Sequence, residues 1–211
     1  MRATTNYMQT TAAFRLVKAA EAAFPSEYGS FRIYGFEGYS GDVMDEAVAL
    51  KIGDVTAKPP LVRVHSQCLT GDALHSMRCD CRDQLDLALT QIAEEGAGLL
   101  IYELKEGRGI GLMNKLRAYE LQDQGADTIE ANRMLGFDAD LRNFELPGAI
   151  VRYFGVNQIR LLSNNPEKRQ AMERAGVDVV ELVPSVVPHA ETRRSYLETK
   201  RARMGHFLEG L

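Results

Sequence analysis

The 211-residue sequence has no apolar run long enough to cross a bilayer: its longest nearly apolar stretch, Ala97 to Tyr102, falls far short of the ~20 residues a membrane helix needs. The N-terminus lacks a basic segment followed by an apolar run, so a cytoplasmic protein is expected. Positive charge is also in short supply, with 25 Lys and Arg against 29 Asp and Glu and a formal net charge of -4. Domains that coat nucleic acid by bulk electrostatics carry a basic surplus, so a small-molecule partner is expected instead. Internal repeats and low-complexity tracts are missing. Hydrophobic residues at 45% and charged residues at 26% exclude a disordered chain, a collagen-like repeat and a mucin-like stalk. A chain of this length buries a core without needing a disulfide or a metal merely to hold it together.

The basic residues that are present lean one way, 18 Arg against 7 Lys. The planar fork of arginine suits carboxylate and phosphate, which is compatible with an anionic ligand.

Along the chain, Thr10 or Thr11 is placed to cap a helix running to about Phe24, with Phe14, Val17, Ala20 and Phe24 near one face and Pro25 as its stop. Residues 1–25 are therefore expected to form a helical appendage, and residues 26–211 the main domain. From Phe31 to Ser66 the pattern turns strand-like, in FRIYGF, EAVALKI and LVRVHS separated by turns containing Gly or Pro, which predicts a small, mostly antiparallel sheet. The second half alternates helices at about 83–95, 110–124, 128–135 and 145–154 with short apolar strands at about 98–103, 158–162 and 177–182. Its clearest unit is the strand QIRLLS, Asn165 as N-cap, Pro166 at the first helical position, a helix through Ala175, Gly176 at its end and the strand VDVVELV. Those two strands are expected to be parallel. A last helix is expected from about Glu191 to Leu208. The predicted class is α/β: a mixed sheet flanked by helices, with a small antiparallel N-terminal β region and an extra N-terminal helix.

All three cysteines fall within fourteen residues, at Cys68, Cys79 and Cys81. Buried reduced thiols are one account, and a disulfide fits poorly with an odd number in a reducing compartment. The better account is a metal site, because Cys-x-Cys thiolates converge on one ion and a third thiolate completes a soft set suited to tetrahedral zinc. Three protein ligands with a fourth position left to water is the arrangement of catalytic zinc; a fourth ligand from His65 or His75 would close the site and make it structural. Glu106-Gly-Arg-Gly-Ile-Gly111 follows a strand and precedes a helix. Its glycines let backbone N–H groups approach a phosphate, with Arg108 adding donors, although a flexible turn has the same look and the dinucleotide-binding glycine spacing is not met. Asp138, Asp140 and Arg142 share a loop, as a solvated pairing or as part of a site. Asn164-Asn165-Pro166-Glu-Lys168 opens a helix able to hold an anion or to cap itself.

Taken in order, these segments resemble one family. Arg63-Val-His-Ser-Gln-Cys-Leu-Thr-Gly-Asp72, Met77-Arg-Cys-Asp-Cys81, Glu106 through Lys115, Arg117-Ala-Tyr119, Leu121-Gln-Asp-Gln-Gly125, Asp127-Thr128, Ala131-Asn132, Leu135-Gly-Phe137, Ser163 through Lys168, Tyr196-Leu-Glu-Thr-Lys and Met204-Gly-His stand in the order seen in GTP cyclohydrolase II. The resemblance spans roughly residues 28 to 208. It implies opening of the GTP imidazole ring with loss of formate and pyrophosphate, the first step of riboflavin synthesis, by a homodimer using zinc and, on the triphosphate, Mg²⁺. By matched position, Cys68, Cys79 and Cys81 are implied as zinc ligands, Tyr119 as the active-site tyrosine, Asp140 as proton acceptor and Arg142 as nucleophile. The nucleotide is implied to touch Arg63, Val64, His65, Ser66, Gln67, Gln84, Glu106, Gly107, Arg108, Thr128, Ser163 and Lys168.

Zinc chemistry accords with attack on purine C8, an electron-poor carbon between two nitrogens, while pyrophosphate release calls for charge neutralisation by Mg²⁺, Arg and Lys. A guanidinium has no available lone pair near neutrality, so transition-state electrostatics is an equal alternative for Arg142. Two positions depart from the family pattern: Gln67, where Glu is common, and Gly109, where Asn often stands. Two other readings stay open: a relative that stops at the formamide or serves another pathway, and a zinc-stabilised nucleotide-binding protein without turnover. The presence of Tyr119, Asp140 and Arg142 speaks against the last.

Overall fold

The computed structural model describes residues 14–138 and 142–187. Their strands form one seven-stranded mixed sheet. β1 (Arg15–Ser26), β2 (Gly29–Ser40) and β3 (Val43–Ile52) make an antiparallel meander, and β3 runs antiparallel to β5 (Gly98–Glu103). β4 (Leu61–Ser66) lies between β5 and β6 (Gln158–Leu162), parallel to both, and β7 (Asp178–Val183) runs parallel to β6. The order across the sheet is β1-β2-β3-β5-β4-β6-β7.

The central strands are buried on both faces, as their near-continuous apolar sequences require. Alternate residues serve opposite sides. Val62, Val64, Leu99, Ile101, Ile159 and Leu161 pack with α5 (Glu145–Tyr153) and α6 (Pro166–Arg174), through Leu146, Ile150, Val151, Ala171 and Met172. Leu61, Leu100 and Leu162 pack on the other side with Ala88, Leu89 and Ile92 of α2 (Cys81–Glu95). Ile150 is fully buried in the first cluster, so Ile150→Ala is expected to cost about 2–5 kcal/mol, read as a lower urea midpoint with an unchanged slope. An unchanged midpoint would contradict that packing.

The helix expected from Thr10 or Thr11 to Phe24 is, over its described part, the strand β1. Alanines and i, i+3 apolar spacing favour a helix locally, but β2 offers a partner along the whole segment, from Arg15 opposite Tyr39 to Ser26 opposite Gly29. Pro25 is tolerated because β1 is an edge strand, and the boundary expected at residue 25 falls inside it. A second correction concerns β4. It does not close a separate antiparallel sheet but enters the parallel half of the single sheet, beside β5 and β6. The unit after β6 forms as its residues dictate: the Asn165 side chain accepts the Glu167 N–H at 2.8 Å, Pro166 begins α6, and Gly176 follows it with φ of 76°. The helix expected over 191–208 lies outside the described residues. No helix among those described is long and apolar enough to cross a membrane.

Candidate active site

Chain segments leaving the C-terminal ends of β4, β5 and β6 converge on one cavity of about 500 Å³, the place where open α/β sheets present their ligand sites. Ser66 ends β4, and Gln67 and Cys68 follow it; Glu106, Gly107 and Arg108 follow β5; Ser163, Asn164 and Asn165 follow β6; all line it. Further wall comes from α3 (Leu112–Asp123), with Lys115 and Tyr119, and from α4 (Thr128–Met134), with Thr128 and Asn132. Of the implied nucleotide residues, only Val64 is not on the wall. It is a core residue of β4 whose carbonyl accepts the Lys168 Nζ at 2.8 Å. Asp140 lies outside the described residues.

Cys68 precedes the short helix α1 (Leu69–Asp72), Cys79 lies in the following loop, and Cys81 is the first residue of α2. Their three sulfurs lie within 4.8 Å of one another. The Cys68–Cys79 separation is 3.7 Å, against about 3.8 Å for two sulfurs at 2.3 Å from one tetrahedral zinc. Hydrogen bonds from Cys79 and Cys81 hold the Cys68 thiol far below its ordinary value, whereas those same contacts raise Cys79 and raise Cys81 further. Three adjacent thiols cannot all ionise unaided, and a divalent cation is the group that lets them. The donor set thus fits a soft divalent metal. Gly71 closes in on it: a Cβ there would stand 2.8 Å from the Cys79 sulfur and 3.1 Å from that of Cys68.

Neither histidine joins the cluster. His75 is exposed, and His65 is buried with its Nε2 at 3.1 and 3.2 Å from the Asp72 carboxylate. Burial pushes His65 down, leaving a neutral ring stacked on Tyr102. Asp72 also accepts the Tyr102 hydroxyl at 2.7 Å and the Cys68 backbone N–H at 3.0 Å, so it fixes the chain at the first cysteine.

Glu106 is less a free ligand contact than a bracket. Its Oε2 accepts the Leu69 N–H at 2.7 Å, and its Oε1 accepts the Gly107 N–H at 2.9 Å and the Lys115 ammonium at 2.7 Å. Lys115 reaches on to the Cys68 sulfur at 3.1 Å. Burial opposes the charge on Lys115, but Glu106 and Cys68 outweigh it and raise the ammonium above its ordinary value. Gly107 and Arg108 both adopt left-handed backbone (φ 60° and 59°), unusual for an arginine and the kind of conformation held at functional sites. The Arg108 side chain lines the cavity, and its Nη1 is buried with no hydrogen-bond partner among the described residues.

Arg142 donates through Nη1 to Ser66 Oγ at 3.1 Å, and Ser66 donates to Glu103 Oε2 at 3.2 Å. Burial pushes the Glu103 carboxyl up, and Lys168, Lys105 and Arg142 pull it back. Arg63 donates to Gln84 Oε1 at 2.7 Å and to the Leu162 carbonyl at 3.0 Å. Burial pushes Arg63 down to about 10, which still leaves it charged near neutrality. Tyr119 meets Thr70 Oγ1 at 3.2 Å, beneath the Arg78 guanidinium 4.8 Å from its ring centre. Burial raises its phenol, which remains a proton-bearing donor. Asn164 exchanges hydrogen bonds of 2.8 and 2.9 Å with the backbone of Ser185, pinning the loop that precedes Lys168.

Among the described residues, six cationic side chains line the cavity (Arg63, Arg78, Arg108, Lys115, Arg142, Lys168) against the two carboxylates of Glu106 and Asp127, an inversion of the chain's negative balance. Site residues to which the sequence alone assigns no role include Gly71, Asp72, Arg78, Glu103 and Lys115. One signal was available for Glu103: a carboxylate closing an apolar strand, GLLIYE, at the end of a sheet where α/β sites form.

The GTP cyclohydrolase II family model matches residues 17–184. GTP cyclohydrolase-2 of Histophilus somni (strain 2336) is 56% identical over 190 residues, covering 90% of this chain and 87% of that protein. The Haemophilus influenzae (strain PittGG) GTP cyclohydrolase-2 is 54% identical over 191 residues, covering 90% and 88%. That of Pasteurella multocida (strain Pm70) is 53% identical over 196 residues, covering 92% and 89%. With a family model spanning most of the sequence and relatives more than half identical along nine-tenths of it, the chain belongs to the GTP cyclohydrolase II family.

Proposed function

We propose that this protein hydrolyses GTP at the imidazole ring, giving 2,5-diamino-6-(5-phosphoribosylamino)pyrimidin-4(3H)-one, formate and pyrophosphate, as the first step of riboflavin biosynthesis. The observation that carries this reading is a set of three thiols close enough to hold one metal ion together with, among the described residues, six cationic side chains on the same cavity. The cavity, about 500 Å³, falls among the ~300–1,000 Å³ typical of small-ligand sites. Zinc held by Cys68, Cys79 and Cys81 supplies, when bound, Lewis acidity for attack of water at C8. Arg63, Arg108 and Lys168 neutralise phosphate charge. Tyr119 offers a neutral phenol as hydrogen-bond donor beside the thiols. Arg142, held by Ser66, acts as a fixed guanidinium donor to developing negative charge, since it keeps its proton near neutrality. The ring-opened formamide is then hydrolysed to release formate. Mg²⁺ on the triphosphate, a homodimeric assembly and a cytoplasmic location belong to the same reading and rest on the family resemblance.

Attack at C8 and release of pyrophosphate lie at opposite ends of the nucleotide and use different groups. Metal-free but folded protein, checked by circular dichroism, is therefore expected to lose formate release while retaining some pyrophosphate release. Loss of both together would contradict this division. Gln67 also lines the cavity, as a neutral amide able both to donate and to accept. Gln67→Glu is expected to change the KM for GTP by less than about tenfold and to leave the product unchanged, because a general base contributes ~10²–10⁴ and Gln67 is read as a substrate contact. A gain of orders of magnitude in turnover, or a switch to the formamide, would point to diverted chemistry.

A further inference from the structure

We infer that Lys115 is a positioning residue for the metal centre, its ammonium setting the electron-donating strength of the Cys68 sulfur. The inference rests on the reading of Cys68, Cys79 and Cys81 as metal ligands. Lys115 Nζ stands 3.1 Å from the Cys68 sulfur and 2.7 Å from Glu106 Oε1, with only 12% of its side chain exposed. Glu106 in turn accepts the N–H of Leu69, the residue after Cys68, at 2.7 Å. One ion pair therefore holds both the sulfur of the first ligand and the backbone beside it. Tyr119 lies one turn further along the same face of α3, and its hydroxyl meets Thr70, whose Oγ1 is 3.7 Å from the same sulfur. The α3 face thus addresses Cys68 twice, once through a charge and once through a hydroxyl.

Three thiolates bring more negative charge than a divalent ion carries. A thiolate whose lone pair accepts from an ammonium gives less electron density to the metal, which keeps that metal a stronger Lewis acid. Lys115 and Cys68 both line the cavity, so this contact is made at the cavity wall.

Cobalt(II) is the probe, because its sulfur-to-cobalt charge-transfer band reports thiolate donation without any turnover. Wild-type protein reconstituted with Co²⁺ is compared with Lys115→Met, Lys115→Gln and Lys115→Arg. Loss of the ammonium raises the sulfur lone-pair energy, so the band is expected to move to longer wavelength in Lys115→Met and by a smaller amount in Lys115→Gln, whose amide still donates. Lys115→Arg is expected to stay close to wild type. Alkylation of the metal-loaded protein by iodoacetamide is expected to quicken several-fold in Lys115→Gln, a second readout that stands if the methionine variant folds poorly. A band present and superimposable in wild type, Lys115→Met and Lys115→Gln, with equal alkylation rates, overturns the role of Lys115 alone. A wild-type protein with no sulfur-to-cobalt band overturns the metal reading beneath it.

Discussion

Cys79→Ser is expected to reduce bound zinc from near one ion per chain to a small fraction and to lower formate release by more than about 100-fold, since even the loss of an outer-shell partner of a metal site costs about 10–100-fold. Serine keeps the size of the side chain but offers an alcohol that stays protonated near neutrality, so the soft set of three donors falls to two. The Cys79 sulfur is 3.7 Å from that of Cys68, and the pair shares its hydrogen-bonding network with Cys81, so the substitution also removes a partner from each of the other thiols. Some loss of thermal stability is expected alongside, because thiolate–metal bonds contribute folding energy. Metal analysis on purified, folded protein checks the first part. Full zinc content together with full ring opening in this variant would contradict the assignment of the cluster.

Gly71→Ala carries an expectation opposite to that of helix propensity. Alanine in place of glycine within a helix stabilises by about 1 kcal/mol, and no left-handed backbone at Gly71 argues against a side chain. Space argues against it. The added Cβ would meet the Cys79 sulfur at 2.8 Å, the Cys81 Cβ at 3.0 Å and the Cys68 sulfur at 3.1 Å. Retreat of α1 is opposed at its start by the Leu69 N–H on Glu106 and the Cys68 N–H on Asp72. The sulfurs must therefore spread, and metal affinity is expected to fall by roughly 10–100-fold, as for other changes that misplace ligands, with little change in melting temperature of the metal-free protein. Competition against a chromophoric chelator measures this directly. Wild-type affinity in Gly71→Ala would mean that the cluster is not held at metal-binding separations.

Much of this architecture was readable in the residues. The strands expected at 98–103 and 158–162 form at those positions, and the Asn165-Pro166 start of α6 forms as capping chemistry predicts, because each is decided by local pattern and short-range hydrogen bonds. β1 was not readable. Its alanines fit a helix, and only pairing with β2, a tertiary interaction, decides otherwise. The parallel setting of β4 was hidden for the same reason, since β5 and β6 that flank it come later in the chain. At the site, the cysteine cluster was legible from spacing, and the resemblance pointed to Tyr119, Arg142 and a set of residues that, apart from Val64, line the cavity. Lys115, Glu103 and Gly71 were not singled out. A lysine on a helix, a glutamate ending a strand and a glycine in a four-residue helix acquire meaning only when the fold brings them to Cys68, Ser66 and the sulfurs.

The central claim is that the thiol cluster and the cationic cavity together open the GTP ring. Zinc-loaded protein is incubated with GTP and Mg²⁺, formate and pyrophosphate are quantified, and the remaining nucleotide-derived product is identified by mass. The account predicts formate and pyrophosphate in equal amounts, with 2,5-diamino-6-(5-phosphoribosylamino)pyrimidin-4(3H)-one as the product. Intact GTP recovered with neither small product, or a ring-opened formamide accumulating without formate, would contradict it.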